Sequence, residues 1–444
     1  MTTVRIGAGA GYSGDRIDPA VELAARGSIA YMVFECLAER TIALAQKAKL
    51  QDAGRGYDPL LEERMEAVLP LCRQNGIRIV SNMGAANPSA AAERTRKVAE
   101  RLGLRGLRIA AIRGDDVLAV IRNGHSIFAE NGEAVESLGE KLISANAYLG
   151  VAPILEALAS GAEVILMGRV ADPAMFLAPL IHEFGWSMEN WDLLGQGTVV
   201  GHLLECAGQL TGGYIADPGI KDVPNLARLG FPIAELAEDG SAVFSKVEGS
   251  GGLINKATCT EQLLYEIQDP SAYLTPDVVA DFSHVEMEEI RKDRVRVTGG
   301  AGRPRPEKLK VSVGYHDGYV GEAQISYAGP GAVARAELAR QILDERLGSC
   351  SLSELRFDFI GMNSIHGVRL SQKQCEPYEV RLRVAGRAQS MKAATMIPRE
   401  VEALYTNGPA GGGGVVGSTR EIIAIGSTLV PRAMAQHKIQ YEVS

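Results

Sequence analysis

Five short apolar runs in the first half of the chain each end on residues able to do chemistry. Val4-Arg-Ile-Gly runs into Gly7-Ala-Gly-Ala-Gly11-Tyr-Ser13-Gly-Asp15, and Tyr31-Met-Val-Phe into Glu35-Cys36. Ile77-Arg-Ile-Val leads to Ser81-Asn82-Met-Gly84, Leu107-Arg-Ile-Ala-Ala-Ile to Arg113-Gly-Asp115-Asp116, and Glu163-Val-Ile-Leu-Met to Gly168-Arg169-Val-Ala-Asp172. Polar residues follow strands partly because loops are wet and helices need caps, which accounts for Asn87 before Pro88 and also for Asp172. An acid placed directly after an apolar run, as Glu35 is, reads better as a group held at a strand end to act on a ligand. His202 and Glu205 are three residues apart in a helical stretch, so imidazole and carboxylate share a face. That spacing suits a proton-transfer pair or two metal ligands, and equally a polar helix face with His202 merely hydrogen bonded. Of seven histidines, His202 is the best acid–base candidate. Glu35, Asp115, Asp116 and Glu205 are oxygen donors suited to Mg²⁺ or Ca²⁺, although a set of acids alone does not establish a metal. No H-E-x-x-H or comparable ligand set points to zinc.

Three glycine-rich stretches add possible anion contacts. Gly9, Gly11 and Gly14 meet a dinucleotide spacing, with Glu35 in the place of a ribose-binding acid, but Asp15-Arg16-Ile-Asp18-Pro19 interrupts the helix start that pattern requires. A loop offering N–H groups to phosphate or carboxylate is the preferred reading. Ser250, Gly251, Asn255 and Lys256 lie in a second glycine turn that opens a helix, an arrangement suited to an anionic group. Gly411 and Gly412 belong to a third, which reads as a linker or as a place where something approaches the backbone closely. No G-x-S-x-G elbow is present, and Cys36 and Cys206 lack any catalytic-thiol spacing, so both read as inert.

The elements that would position these groups follow from periodicity. Five apolar runs separated by helical stretches predict an α/β region, a mostly parallel sheet with helical crossovers, over residues 1–280. Such a sheet gathers its strand ends along one edge. Residues 281–444 read as a smaller α+β part. Strands at Lys308–Tyr315 and Tyr319–Tyr327 are predicted to be antiparallel about a turn at Asp317-Gly318. An amphipathic helix at 332–347 follows, then strands at Arg356 and Glu379.

Composition narrows the class. The 444 residues carry 46 Lys and Arg against 54 Asp and Glu, a net charge of −8, which disfavours phosphate-backbone binding to nucleic acid. Mean hydropathy is +0.00, and no window approaches the ~18 apolar residues of a membrane span. The start, Met1-Thr-Thr-Val, shows no basic leader with an apolar core. Six scattered cysteines, without a C-x-x-C pair, read as reduced thiols, so a cytoplasmic protein is expected.

The motifs Gly7-x-Gly9-x-Gly11-Tyr-Ser-Gly-Asp15-Arg16, Phe34-Glu35-Cys36-Leu-Ala-Glu39-Arg40-Thr41, Ser81-Asn82-Met-Gly84-Ala-Ala-Asn87-Pro88, Gly114-Asp115-Asp116, Gly168-Arg169-Val-Ala-Asp172 and Asn407-Gly-Pro-Ala-Gly411 together resemble the acyclic terpene utilisation (AtuA-type) family. The resemblance covers nearly the whole chain. It implies a place in acyclic terpene breakdown through coenzyme A thioesters, beside biotin-dependent carboxylases, but brings no settled catalytic set. It also implies a ferredoxin-like companion domain. This sequence stops at Ser444 without one, so a separately encoded subunit is expected, as is a homo-oligomer. The combined expectation is a lyase or hydratase acting on an acyl-CoA or related hydroxy acid. Glu35 and His202, with Glu205, would serve as acid and base, and Asn82 and Arg169 would orient the substrate. Asp115 and Asp116 would orient His202 or hold a divalent ion, while Gly9, Gly11, Ser13, Asp15, Asp172 and the 249–252 loop would bind substrate. A hydrolase on the same substrates and a non-catalytic acyl-CoA-binding subunit are the alternatives.

Overall fold

A computed structural model of the chain describes residues 3–371 and 376–444. Cys375 and the first two residues lie outside the described residues. Two compact units emerge: residues 1–314 together with 425–444, and residues 315–424. Composition placed the change near 280 because the strands after it alternate like an antiparallel domain, yet those strands hydrogen-bond into the first unit.

In unit one the chain runs β1 (Thr3–Ala10), α1 (Asp18–Arg26), β2 (Tyr31–Phe34), α2 (Glu39–Gln51), α3 (Leu61–Asn75), β3 (Arg78–Ser81), α4 (Pro88–Arg101), β4 (Arg108–Arg113), α5 (Leu118–Asn123) and β5 (Leu142–Ala147). It continues through α6 (Ala152–Ala159), β6 (Val164–Met167), α7 (Ala174–Phe184) and α8 (Trp191–Glu205). After these come β7 (Pro232–Ala237), β8 (Ala242–Lys246), α9 (Lys256–Leu264), β9 (Tyr273–Leu274), β10 (Val279–Asp281), β11 (Glu286–Arg291), β12 (Arg294–Thr298) and β13 (Ala301–Arg303).

All five apolar runs become neighbouring strands that point the same way, in the order β1-β2-β3-β6-β4. Their residues are buried on both faces, as parallel strands sandwiched by helices must be. The sheet as a whole is nevertheless mixed, which corrects the mostly parallel expectation. It has ten strands, and β7, β8, β12 and β11 extend it beyond β1 by antiparallel pairing. The C-terminal strand Lys438–Val443 adds antiparallel to β4. The crossover helices dictated the parallel core, and short hairpins, which carry no helical signature, dictated the rest. A small antiparallel sheet of β13, β10 and β9 packs on α8. Among the described residues, no helix is long and apolar enough to cross a membrane.

The strand β14 (Lys308–Ala328) begins in unit one and continues into unit two. The expected turn at Asp317-Gly318 is absent: β14 runs straight through it, and Gly318 takes up a left-handed φ of 82° within the strand. Unit two continues with α10 (Ala332–Gly348), β15 (Leu352–Ile360), α11 (Gly367–Leu370), β16 (Glu379–Ala388), α12 (Met391–Ala394), α13 (Met396–Asn407) and β17 (Gly413–Pro431). Its sheet has the order β15-β16-β14-β17, and Ile325, Tyr327, Val380, Leu382 and Val384 form a core with α10 and α13. Unit two pairs β15, β16 and β14 antiparallel with helices beside them, whereas residues 281–314, expected in the same α+β part, belong to unit one.

Candidate functional site

At the carboxyl edge of the parallel strands is a cavity of about 380 Å³. The β1 loop, the β2 end, the β6 end, the end of α8 and the residues after α9 all line it. Gly11, Ser13, Glu35, Arg169, Asp172 and Glu205 therefore meet in one place. Close approach makes this possible. A Cβ on Gly11 would lie 2.5 Å from the Cys206 backbone carbon, so only glycine lets the β1 loop touch the end of α8.

A buried cation fixes the β1 loop. Arg64 on α3 is fully buried and pairs with Asp58 at 3.0 Å. Its Nη2 also donates to the carbonyls of Ser13 (2.7 Å), Asp15 (3.3 Å) and Tyr12 (3.4 Å), and Ser13 Oγ donates to Asp58 at 2.6 Å. The Gly11 N–H is taken by the Asp15 carboxylate at 2.9 Å. Asp15 thus braces the loop, and the Gly11 N–H expected to meet an anion is already engaged.

Glu35 is half-buried at the cavity wall. Its Oε1 accepts from Asn82 Nδ2 at 3.0 Å and from the Leu37 N–H at 2.9 Å, while Asn82 Oδ1 accepts the Cys36 N–H at 2.7 Å. Asn82 therefore positions Glu35 from behind and does not line the cavity. Burial pushes the Glu35 carboxyl up to about 6, against the pull of these hydrogen bonds and of Arg169.

Arg169 is buried on several supports. Its backbone N–H donates to Asp115 Oδ2 at 2.9 Å, its guanidinium stacks 4.2 Å from the Tyr148 ring centroid, and its Nη1 donates to the Leu37 carbonyl and, at 3.3 Å, to Asp172. Nη2 has only Glu39, at 3.8 Å, and the buried Nε has no partner among the described residues. Burial holds the Asp172 carboxyl well above its usual range, against the pull of Arg169. Its side chain goes to Arg169 and caps no helix, contrary to the capping expectation. In Glu39 the order reverses: burial opposes ionisation, but Arg169, the Tyr148 hydroxyl and Lys310 bring the carboxyl down to about 2.

Glu205 reaches the cavity with His202 behind it. His202 is buried, its Nδ1 lies 2.7 Å from Glu205 Oε1, and its Nε2 lies 3.3 Å from the Leu263 carbonyl. A carbonyl only accepts, so Nε2 carries a hydrogen. The short Nδ1···Oε1 contact then holds one further proton, on one residue or the other. The His202 ring packs 5.5 Å from both Tyr273 and Phe282. His202 is therefore a partner of Glu205 and does not itself face the cavity, which corrects its reading as a direct acid or base. Glu205 Oε2 is buried without a partner among the described residues.

Other expected residues lie elsewhere. Asp115 sits beneath the site, accepting from Asn146 Nδ2 at 2.8 Å as well as from Arg169, and it does not touch His202. A Cβ on Gly168 would fall 2.4 Å from Asp115, so glycine is what lets that carboxylate reach the Arg169 backbone. Asp116 accepts from the Leu118 N–H at the start of α5 and from Gln46, away from the cavity. Gly9 is inside β1 against Phe34. Ser250, Gly251, Asn255 and Lys256 do not line the cavity: Ser250 Oγ closes a turn on the Val247 carbonyl, Asn255 caps α9, and the Lys256 N–H goes to Glu289. Gly411 and Gly412 belong to unit two, in the loop before β17. The four acids proposed for a divalent ion are thus not one set, and no group of three or more His, Cys, Asp or Glu among the described residues is arranged to hold a metal.

Several contributors escaped the sequence reading. Glu39 stood in a quoted motif without a role, Cys36 and Cys206 read only as inert thiols, and Tyr148, Tyr265 and Glu266 carried no spacing signal because they arrive from distant loops. Burial raises the thiols of Cys36 and Cys206, so neither is a ready thiolate.

The family model described as acyclic terpene utilisation family protein AtuA matches residues 4–441. No curated protein and no solved structure matches the chain.

Proposed function

The chain belongs to the acyclic terpene utilisation family AtuA, and from that premise we propose that it is an acid–base lyase or hydratase acting on an acyl substrate beside its carbonyl. One observation carries the reading: Glu35 and Glu205, differently supported, face one small cavity together with Arg169. Adding or removing water beside a carbonyl needs a base for the α-proton, an acid for the departing oxygen and a donor for the enolate oxygen. Glu35, poised near 6, is the base. Glu205 is the acid, because the one proton held between its Oε1 and His202 Nδ1 can pass from Glu205 to the departing oxygen. Arg169, with Nη2 lightly engaged, faces the developing negative oxygen. An acyl-enzyme route is less well served, since both thiols are held protonated and Ser13 has Asp58 as its partner in place of a base such as histidine. The substrate is proposed to be a coenzyme A thioester, a cavity of about 380 Å³ admitting its acyl end.

The test is incubation in D₂O with straight and branched 2-enoyl and 3-hydroxyacyl thioesters, followed by mass spectrometry. Deuterium entering the α-position, with water gained or lost, is expected. Free acid and thiol as the products would identify a hydrolase, and binding without any exchange would identify a carrier subunit. Either result overturns the proposal.

A further inference from the structure

Beyond β1, against β7, β8 and the β11–β12 hairpin, lies a second cavity, of about 710 Å³, whose walls carry Arg5, Arg26, Lys246, Arg291, Lys292 and Arg294. Among the described residues, Glu248 and Asp293 are its lining carboxylates, in a chain whose net charge is −8. With Glu235, which pairs with Arg5 and lies 3.9 Å from Arg294, and Glu22, which pairs with Arg26, six cations meet four acids, so the hollow keeps a net positive charge. It shares no lining residue with the carboxyl-edge cavity. The loop carrying Ser250 and Gly251, read from sequence as part of one substrate site, belongs here instead.

The cations are held in place by the surrounding backbone. The β11–β12 hairpin tip is docked by Asp293, whose Oδ1 accepts the Ile254 N–H at 3.0 Å and whose Oδ2 lies 3.6 Å from Lys246 Nζ. Lys246, its side chain almost fully buried, also donates to the Ser250 carbonyl at 2.8 Å. Arg5 is anchored by Glu235 and the Gly27 carbonyl, and Arg26 by Glu22 and the Glu248 carbonyl. Arg291 and Lys292 are exposed, and their side chains make no hydrogen bond or ion pair among the described residues. Two unengaged cations on a docked tip, backed by four fixed ones, form a cradle for more than one phosphate. A neighbouring hollow shares Arg26, Asn225, Gly249 and Ser250 and is walled by Asp18 and Glu22. These carboxylates repel anions and accept hydrogen bonds from hydroxyl or amino groups.

We propose that this cavity binds a pyrophosphate-bearing small molecule, its phosphates at Arg291, Lys292 and Arg294 and its hydroxylated remainder towards Asp18 and Glu22. The site is separate from the carboxyl-edge cavity. A nucleoside diphosphate and coenzyme A both carry that chemistry. Titration calorimetry on the full chain with inorganic pyrophosphate, ADP and free coenzyme A distinguishes them. Pyrophosphate is expected to bind saturably, more weakly at high salt, and to lose about tenfold or more in affinity in the Arg291→Glu/Lys292→Glu variant. Glu35→Gln is expected to bind it like the wild type. Competition by ADP alone identifies a nucleotide, and competition by coenzyme A identifies the thioester's own carrier; both support the site. Absence of saturable pyrophosphate binding, or binding indifferent to the double reversal, overturns it. Should the double variant not fold, Lys292→Ala at the exposed tip is expected to read the same loss at about threefold.

Discussion

Two regions of the molecule cluster arginines with carboxylates, and they do so to opposite ends. On the unit-two sheet, Arg383 gives a two-pronged contact to Glu322 at 2.9 Å on each oxygen and a third to Asp358 at 2.7 Å, and Asp358 also accepts from Arg356 at 2.8 Å. Each of these four side chains meets an opposite charge, and the Arg383 contacts hold the Glu322 carboxyl below its usual range. In the unit-one cavity the corresponding groups are under-served. Glu205 Oε2 and Arg169 Nε are buried without partners among the described residues, Glu35 is pushed up to about 6, and Asp172 is held higher than an ordinary carboxyl. A satisfied ion-pair ladder does structural work. A cluster that keeps unmet hydrogen-bonding capacity under burial is what proton chemistry requires.

The largest expected break in that contrast is Glu35→Gln. It keeps the Asn82 and Leu37 contacts but removes the titrating group, so turnover is expected to fall by about 10²–10⁴-fold with the fold intact. His202→Gln, acting only through Glu205, is expected to cost less and to change the shape of the pH–rate profile. Steady-state kinetics with circular dichroism as the folding check separates the two. Retained turnover in Glu35→Gln would remove the base assignment.

The next effect concerns the cation that shapes the loop. Arg64→Met leaves Asp58 buried and the Ser13, Asp15 and Tyr12 carbonyls without their donor, and breaking a buried pair in this way costs about 3–5 kcal/mol. Chemical denaturation is the measurement. A loss under about 1 kcal/mol would mean that the loop holds itself.

Acidity sharpens the comparison, because the two regions respond with opposite signs. Glu35 has a folded pKa of about 6, above its ordinary 4.5. The stability it contributes is therefore complete below 4.5 and is lost as the pH rises through about 6. Glu322 is lowered by Arg383, so its contribution is present above 4.5 and is lost as the pH falls through its folded value. Melting temperatures should show Glu35→Gln gaining on the wild type between 4.5 and about 6. They should show Glu322→Gln costing most at neutral pH and least in acid. Parallel curves for the two variants would contradict the assignment of one cluster to chemistry and the other to structure.

How much of this was legible depends on the distance over which each group is positioned. Glu35, Asn82, Arg169 and Asp172 follow apolar runs directly, so once those runs pair in parallel their side chains must approach one edge, and that much is written locally. Whether a group faces the ligand or braces a neighbour is not local. Asn82 and Asp115 turned out to be braces because Cys36 and Arg169 present N–H groups to them, contacts that depend on other strands. His202 and Glu205 share a helix face, but which of them is outermost depends on Leu263, Tyr273 and Phe282, sixty or more residues away. The mixed sheet was hidden for a different reason: β7–β8 and β11–β12 are two hairpins, each closed by a short turn, and a short apolar alternation does not say which edge it will extend.

The smallest expected effect is also the most discriminating about the ladder. Arg356 is two-thirds exposed, and its partner Asp358 keeps Arg383 when it is removed. Arg356→Ala should therefore change stability by no more than about 0.5 kcal/mol, the range of an exposed pair with a redundant neighbour. Denaturant midpoints at low and high salt check it. A loss several times larger would mean that Asp358, itself nearly buried, depends on both arginines. The unit-two ladder would then be as strained as the cavity, and the distinction drawn between the two clusters would have to rest on solvent access alone.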